Sequence, residues 1–303
     1  MTDPIAKKIQ IKKRGNALGY WFFKAFMRAG GLRAAYGLLY GVALHYLIFD
    51  RDAVKAAGAY FKRRFPGSGS FARIGQIYRL FVTQGQQLID RYAAISGAVE
   101  FSFVLNGQET LERLSKSEKG FVLLTAHAGN WQIALTTLSN IGKKVFLVMR
   151  PEDNEAVKKA LNVDATDSMI GLISPEGEFG GVVQIMNQLN AGNVVSFNGD
   201  RAYGFDTVDV PFVGGTAKFP FGAFQIAAAA GVPILVLLAS KTGPREYTID
   251  VTQTIEPIYA GRRDKRGQLS AWVAQYAAML DAFFAEHPFQ CFLFYDVWIN
   301  TVK

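Results

Sequence analysis

Residues 125–135 read TAHAGNWQIAL. His127 is one of only three histidines in the chain. It lies among small residues, between the apolar run FVLL (121–124) and a stretch with helical periodicity. An imidazole at a strand-to-helix turn is suited to general-base chemistry, because a nearby helix N-terminus disfavours imidazolium and keeps the ring neutral. Gly129 would let backbone come close to a bound group, and Asn130 is a candidate N-cap. The residues alone leave a structural histidine equally open.

Three further stretches carry charge, two just beyond predicted strands and one before a predicted helix. VMRPEDN (148–154) offers Arg150, whose guanidinium suits a phosphate or carboxylate. FNGDRAYG (197–204) offers Asp200 and Arg201, and DVPFVGGTAKFPFGAFQIA (209–227) offers Lys218 after a Gly-Gly turn. Taken singly, they also read as a strand-end salt bridge, a turn aspartate and a surface lysine. Their common position at one sheet edge, shared with His127, is what makes them candidates. There is no GxSxG elbow, HExxH, P-loop or dinucleotide fingerprint, so covalent serine hydrolysis and nucleotide use lack support. With three histidines and one cysteine, no metal centre is expected, and the lone Cys291 excludes an internal disulfide.

The elements that must position these residues follow from the pattern. Residues 51–100 have helical spacing, broken by PGSGS (66–70). From about 100 onward, short β-rich runs alternate with helical ones. Strands are predicted at 120–126, 144–149, 171–174, 193–199 and PILVLLAS (233–240). Helices are predicted at 130–138, 154–161, 179–190, PFGAFQIAAAAG (220–231) and LSAWVAQYAAMLDAFFAEHP (269–288). REYTIDVTQTI (245–255) reads as an edge strand by its period-two alternation, and QCFLFYDVW (290–298) as a terminal strand or turn. This grammar predicts an α/β fold, a mixed and mostly parallel sheet with helices on both faces. In such sheets, functional residues gather beyond the carboxyl ends of the strands.

Charge divides the chain differently. Of 33 basic and 25 acidic residues, eight basic and one acidic fall within residues 1–33, leaving a nearly neutral body with 25 and 24. A nucleic-acid groove would spread cations over the body, so no nucleic-acid partner is expected. A basic tail leading into apolar sequence suits an anionic membrane surface. Half the residues are hydrophobic, and AAYGLLYGVALHYLIF (34–49) carries no formal charge. Sixteen helical residues reach roughly 24 Å, less than the ~30 Å hydrocarbon core. This run reads either as membrane-associated, spanning the bilayer or lying within one leaflet, or as a helix buried on the domain. The chain therefore divides into a membrane-associating region, 1–50, and an α/β domain, 51–303.

Taken in order, HAGNWQ, MRPEDN, GDRAYG and VPFVGGTAKFPFGAFQIAAAAGVPILVLL resemble the bacterial late acyltransferases of lipid A biosynthesis, within the lysophospholipid acyltransferase superfamily. HPFQCFLFYDVW (287–298) is closer to a less characterised branch of predicted acyltransferases ending in a FYD-aromatic-W pattern. The resemblance covers roughly 100–300. It implies a glycerophosphate acyltransferase-like fold and an acyltransferase acting at the cytoplasmic face of the inner membrane. His127 would be the general base, taking a proton from an acceptor hydroxyl or amine as that group attacks an acyl thioester. Acyl carrier protein or coenzyme A would bring the acyl group as co-substrate, with no other cofactor, and a membrane lipid or glycolipid would accept it. The family's signature has an acid five residues after its histidine; here that position is Gln132, which can fix a tautomer but brings no charge. Asp200 or Glu176 is expected to supply the charge from another loop. The resemblance further implies that Arg150, Arg201 and Lys218 hold substrate, and that Asn130 with backbone N–H groups near 128–130 polarises the thioester carbonyl. The substitution at 132 also leaves a second reading, a catalytically silent relative that binds acyl chains or carrier protein as a partner subunit.

Overall fold

The computed structural model describes residues 17–137, 141–149, 169–176, 181–201, 206–261 and 263–298. Three helices come first: α1 (Ala17–Phe49), α2 (Arg51–Arg64) and α3 (Ser70–Ile95). α1 kinks at Gly30–Gly31, where Gly31 adopts φ 65°, a conformation that favours glycine. Asp50 ends α1 and caps α2, its Oδ1 accepting the Ala53 N–H at 3.1 Å. Lys62, Arg63 and Arg64 close α2, where cations complement the helix dipole.

α1 runs antiparallel along α3: Tyr36 meets Asp90, and the Tyr78 hydroxyl donates to the Tyr40 carbonyl at 3.1 Å. The apolar run at 34–49 has one face on the protein and one exposed. Leu32, Ala35, Leu39 and Ala43 are buried, while Tyr40, Leu44, Ile48 and Phe49 are exposed, as are Phe71 and Ile74 of α3. Ala25–Phe49 is long and apolar enough to cross a membrane, and only 22% of its most apolar window is buried within the protein. The basic residues before Ala17 lie outside the described residues.

The α/β body follows. Its elements are β1 (Ser102–Asn106), α4 (Gln108–Ser115), β2 (Phe121–Thr125), α5 (Trp131–Thr137), β3 (Val145–Val148), β4 (Ile170–Ile173), α6 (Val182–Asn190) and β5 (Val194–Asn198). Next come β6 (Thr207–Phe212), β7 (Gly215–Pro220), α7 (Gly222–Ala230), β8 (Ile234–Val236), β9 (Leu238–Gly243), β10 (Glu246–Asp250), β11 (Thr254–Ile255) and α8 (Lys265–Glu286). The main sheet has the order β11-β8-β2-β5-β3-β4 and is parallel except for β11. Every residue of β2 is buried, as a central strand covered on both faces requires. Its side chains alternate between two cores. Val122 and Leu124 join the larger one with Phe224 and Tyr276, and Phe121 and Leu123 join the smaller one with Leu111 and Leu135. Burying each of these aliphatic or aromatic side chains stabilises the fold by about 1.5–3 kcal/mol. The fold is thus the mixed α/β sheet with helices on both faces that the alternation of elements predicts.

Three local expectations change. β10 is not an edge strand: it lies between β1 and β9 in a second, three-stranded sheet. Its alternation reports burial of one face, with Tyr247 and Ile249 inside, and that pattern does not depend on edge position. PILVLLAS is two strands, β8 and β9, meeting at Leu237, so that the chain passes from one sheet to the other. Residues 207–220 form a hairpin, β6–β7, turning at Val213–Gly214. The helix expected at 154–161 lies outside the described residues.

Candidate active site

The register of the main sheet builds the site. β2 and β5 are parallel neighbours with Thr125 opposite Asn198. Two residues beyond each strand end stand His127 and Asp200, so the same register that aligns the strands brings these side chains together. Thr125 reinforces the alignment, its hydroxyl donating to Asn198 Oδ1 at 2.6 Å and its carbonyl accepting from Gly199 N–H at 2.9 Å.

His127 Nδ1 lies 2.9 Å from Asp200 Oδ1 and 3.2 Å from Oδ2, and the His127 backbone N–H donates to Oδ2 at 2.8 Å. The Asp200 side chain is 2% exposed and that of His127 22%. Burial by itself pushes the Asp200 pKa up, but attraction to His127, the ring and backbone hydrogen bonds from the same residue, and the Arg201 charge outweigh it and hold the carboxyl below its usual range. An ionised carboxylate only accepts hydrogen bonds, so Nδ1 carries the proton and the neutral ring has its lone pair on Nε2. That is the tautomer a general base needs.

Gln132, at the position of the family acid, turns elsewhere: its Oε1 accepts a hydrogen bond from Arg91 Nη1 of α3. Asp200, two residues beyond β5, meets the imidazole, whereas Glu176 is exposed with its backbone N–H on Ser174 Oγ. Gly129 has φ 53°, and a Cβ there would fall 1.8 Å from the Ala239 carbonyl oxygen. The close approach at this glycine is therefore to β9, in place of the bound group expected from the sequence. Asn130 is buried, its Nδ2 donating to the Gln87 carbonyl at 2.9 Å. The N–H groups of Gly129 and Asn130 donate to the carbonyls of Gln290 and Ala239, both at 2.9 Å. The carbonyl-polarising role expected of these groups gives way to a structural one, because their hydrogens fasten the turn to its neighbours.

Arg201 Nη2 donates to the Phe292 carbonyl at 2.9 Å, bracing the C-terminal segment. Lys218, on β7, pairs with Asp209 across the β6–β7 hairpin at 3.0 Å, and both side chains are more than half exposed. This exposed ion pair is what the surface lysine reading describes. Arg150 lies outside the described residues.

A buried polar cluster behind the turn had no counterpart in the sequence reading. Asp90 of α3 is fully buried and accepts from Lys241 Nζ and Tyr247 Oη, each at 2.5 Å, and from Tyr36 Oη. Tyr247 in turn touches Asn130 Nδ2 at 3.4 Å. Asp90 lies in a mixed polar stretch of α3 (GQQLIDRY, 85–92), so neither it nor Arg91 stood out in the sequence.

A search of curated protein sequences found no match. Among solved structures, the chain is similar to the 1-acyl-sn-glycerophosphate (LPA) acyltransferase PlsC from Thermotoga maritima, with 13% identity and a TM-score of 0.35 over 87% of this chain and 98% of that one. That likeness is too distant to support a statement about activity. The sequence profile of a family described as bacterial lipid A biosynthesis acyltransferase matches residues 78–298, a span of 221 of the 303 residues, and the chain belongs to that family.

Proposed function

We propose that the protein transfers a fatty acyl group from a thioester of acyl carrier protein or coenzyme A to a hydroxyl or amine of a membrane lipid or glycolipid, with His127 as general base. Membership of an acyltransferase family supports acyl transfer as the reaction class. The observation that carries the residue assignment is the 2.9 Å contact between His127 Nδ1 and the buried Asp200 carboxylate. Nε2 takes the proton from the acceptor as its oxygen or nitrogen attacks the thioester carbon. The tetrahedral intermediate collapses by breaking the carbon–sulfur bond, and the imidazolium returns the proton to the departing thiolate. Asp200 stabilises the imidazolium in between, which is the role the family acid would have played from position 132.

The setting is the cytoplasmic face of the inner membrane, where acyl thioesters are available. The exposed apolar side of α1 supports contact with lipid, and the basic residues of 1–33 suit anionic headgroups. Arg150 is assigned to the acceptor headgroup or the phosphopantetheine of the carrier by its residue type and its place in the sequence.

Lipid mass spectrometry on the native host, comparing wild type with His127→Ala, tests this reading. A lipid heavier by one acyl group, present only with wild type, is expected and names the acceptor. Identical lipid profiles with both proteins folded and membrane-bound would overturn it and favour the silent binding relative.

A further inference from the structure

The β2–β5 register brings His127 and Asp200 together, but the ladder stops before them and does not by itself hold their backbones beyond the strand ends. A third piece of chain does. Residues 290–292 run antiparallel to 127–129: the Phe292 N–H donates to the His127 carbonyl at 2.8 Å, the Gly129 N–H donates to the Gln290 carbonyl at 2.9 Å, and Ala128 and Cys291 form a β-bridge between them. A few residues on, the Tyr295 hydroxyl donates to the Asp200 carbonyl at 2.9 Å. One segment therefore grips the backbones of both members of the pair.

Both ends of this segment are anchored. The buried Gln290 side chain accepts from Lys241 N–H at 2.9 Å and from Gln87 Nε2 at 2.7 Å, and donates to the Lys241 carbonyl at 3.0 Å. At the other end Trp298 is 5% exposed, its Nε1 donates to the Phe212 carbonyl at 2.8 Å, and its ring stacks on Phe212. Between them Phe294 has φ 46°, a left-handed conformation that costs a bulky residue of order 1–3 kcal/mol and is retained where the surroundings demand it. It directly precedes the residue whose hydroxyl turns back onto Asp200.

We propose that the segment Gln290–Trp298 is the positioning element of the His127–Asp200 pair, and that Tyr295 is a positioning residue acting through the Asp200 backbone. This rests on the reading of His127 as the base. Neither Tyr295 nor Gln290 is required to touch substrate; their effect is on the geometry of a hydrogen bond.

The test is NMR of protein labelled with ¹⁵N-histidine, with the His127 signals assigned by their loss in His127→Ala. Tyr295→Phe, which removes only the hydroxyl, is expected to shift the His127 Nδ1–H resonance toward its position in Asp200→Asn while the protein stays folded. In the native host the acylated lipid should fall by about tenfold, within the ~10²-fold that an ångström of misplacement can cost. Gln290→Glu, which loses the donor to the Lys241 carbonyl, should displace the same resonance. A wild-type Nδ1–H signal in both variants would overturn the proposal. Persistence of the product in His127→Ala would instead overturn the reading of the base, an outcome that the NMR comparison does not depend on.

Discussion

Asp90 and Asp200 are both sealed from solvent, but the protein surrounds them differently. Asp90 sits where α1, α3, β9 and β10 meet, and it receives two tyrosine hydroxyls and a lysine ammonium that is itself only 10% exposed. Asp200 sits at the carboxyl edge of the main sheet and is hydrogen-bonded to a histidine whose ring is 22% exposed. The first carboxylate is matched by a permanent cation and neutral donors from separate elements, so its chemistry goes into fixing those elements together. The second is matched by an imidazole that reaches the surface and has one nitrogen to give a proton and another to take one, an arrangement suited to moving a proton. Burial alone does not separate a structural acid from a functional one; the nature of the partner does.

The comparison predicts opposite phenotypes. Asp200→Asn and His127→Ala should each lower acyl transfer by about 10²–10⁴-fold with the fold retained, as removal of general-base machinery does; quantifying the acylated lipid per unit of folded protein checks this. Asp90→Ala should instead cost about 3–5 kcal/mol in chemical denaturation, because it leaves the Lys241 charge buried without its counter-ion. A normal denaturation midpoint for Asp90→Ala would remove the distinction drawn here.

Asp200 is held below its ordinary value of 3.8, so its ionised form contributes stability that is fully present above that pH and lost as the pH falls through the lower folded value. Denaturation midpoints measured from pH 6 downward (roughly the range in which carboxylates titrate) should fall less steeply in Asp200→Asn than in wild type. Gln132→Glu should change turnover by less than about threefold, under 1 kcal/mol, since a glutamate there meets Arg91 and leaves His127 to Asp200. Lys218→Ala should alter stability by no more than about 0.5 kcal/mol, as loss of an exposed ion pair does.

Much of the fold was legible because hydrophobic period and strand length carry it. FVLLT and VVSFN are short apolar runs ending just before polar turns, and they became the two central strands that place His127 and Asp200. The β6–β7 hairpin was missed although Val208, Val210 and Phe212 alternate inward, because Pro211 and the paired glycines made the stretch read as a turn. Among the described residues β6 pairs on one side only, which is where a proline is tolerated in a strand.

At the site, His127 and Asp200 could each be named from their positions after strands, but their contact depends on register, and register between strands some seventy residues apart is not written in either segment. The turn illustrates the converse. Gly129 and Asn130 looked like ligand-facing residues because small and amide side chains serve both substrate and packing. Only the placement of Ala239, Gln87 and Gln290 around them decides for packing.

The most direct measurement is lipid mass spectrometry in the native host carrying Asp200→Asn or Gln132→Ala in place of wild type. The account predicts that the acylated lipid is lost with Asp200→Asn, as with His127→Ala, and persists with Gln132→Ala. Loss with Gln132→Ala and wild-type levels with Asp200→Asn would contradict it, and would return the charge at His127 to some group other than Asp200.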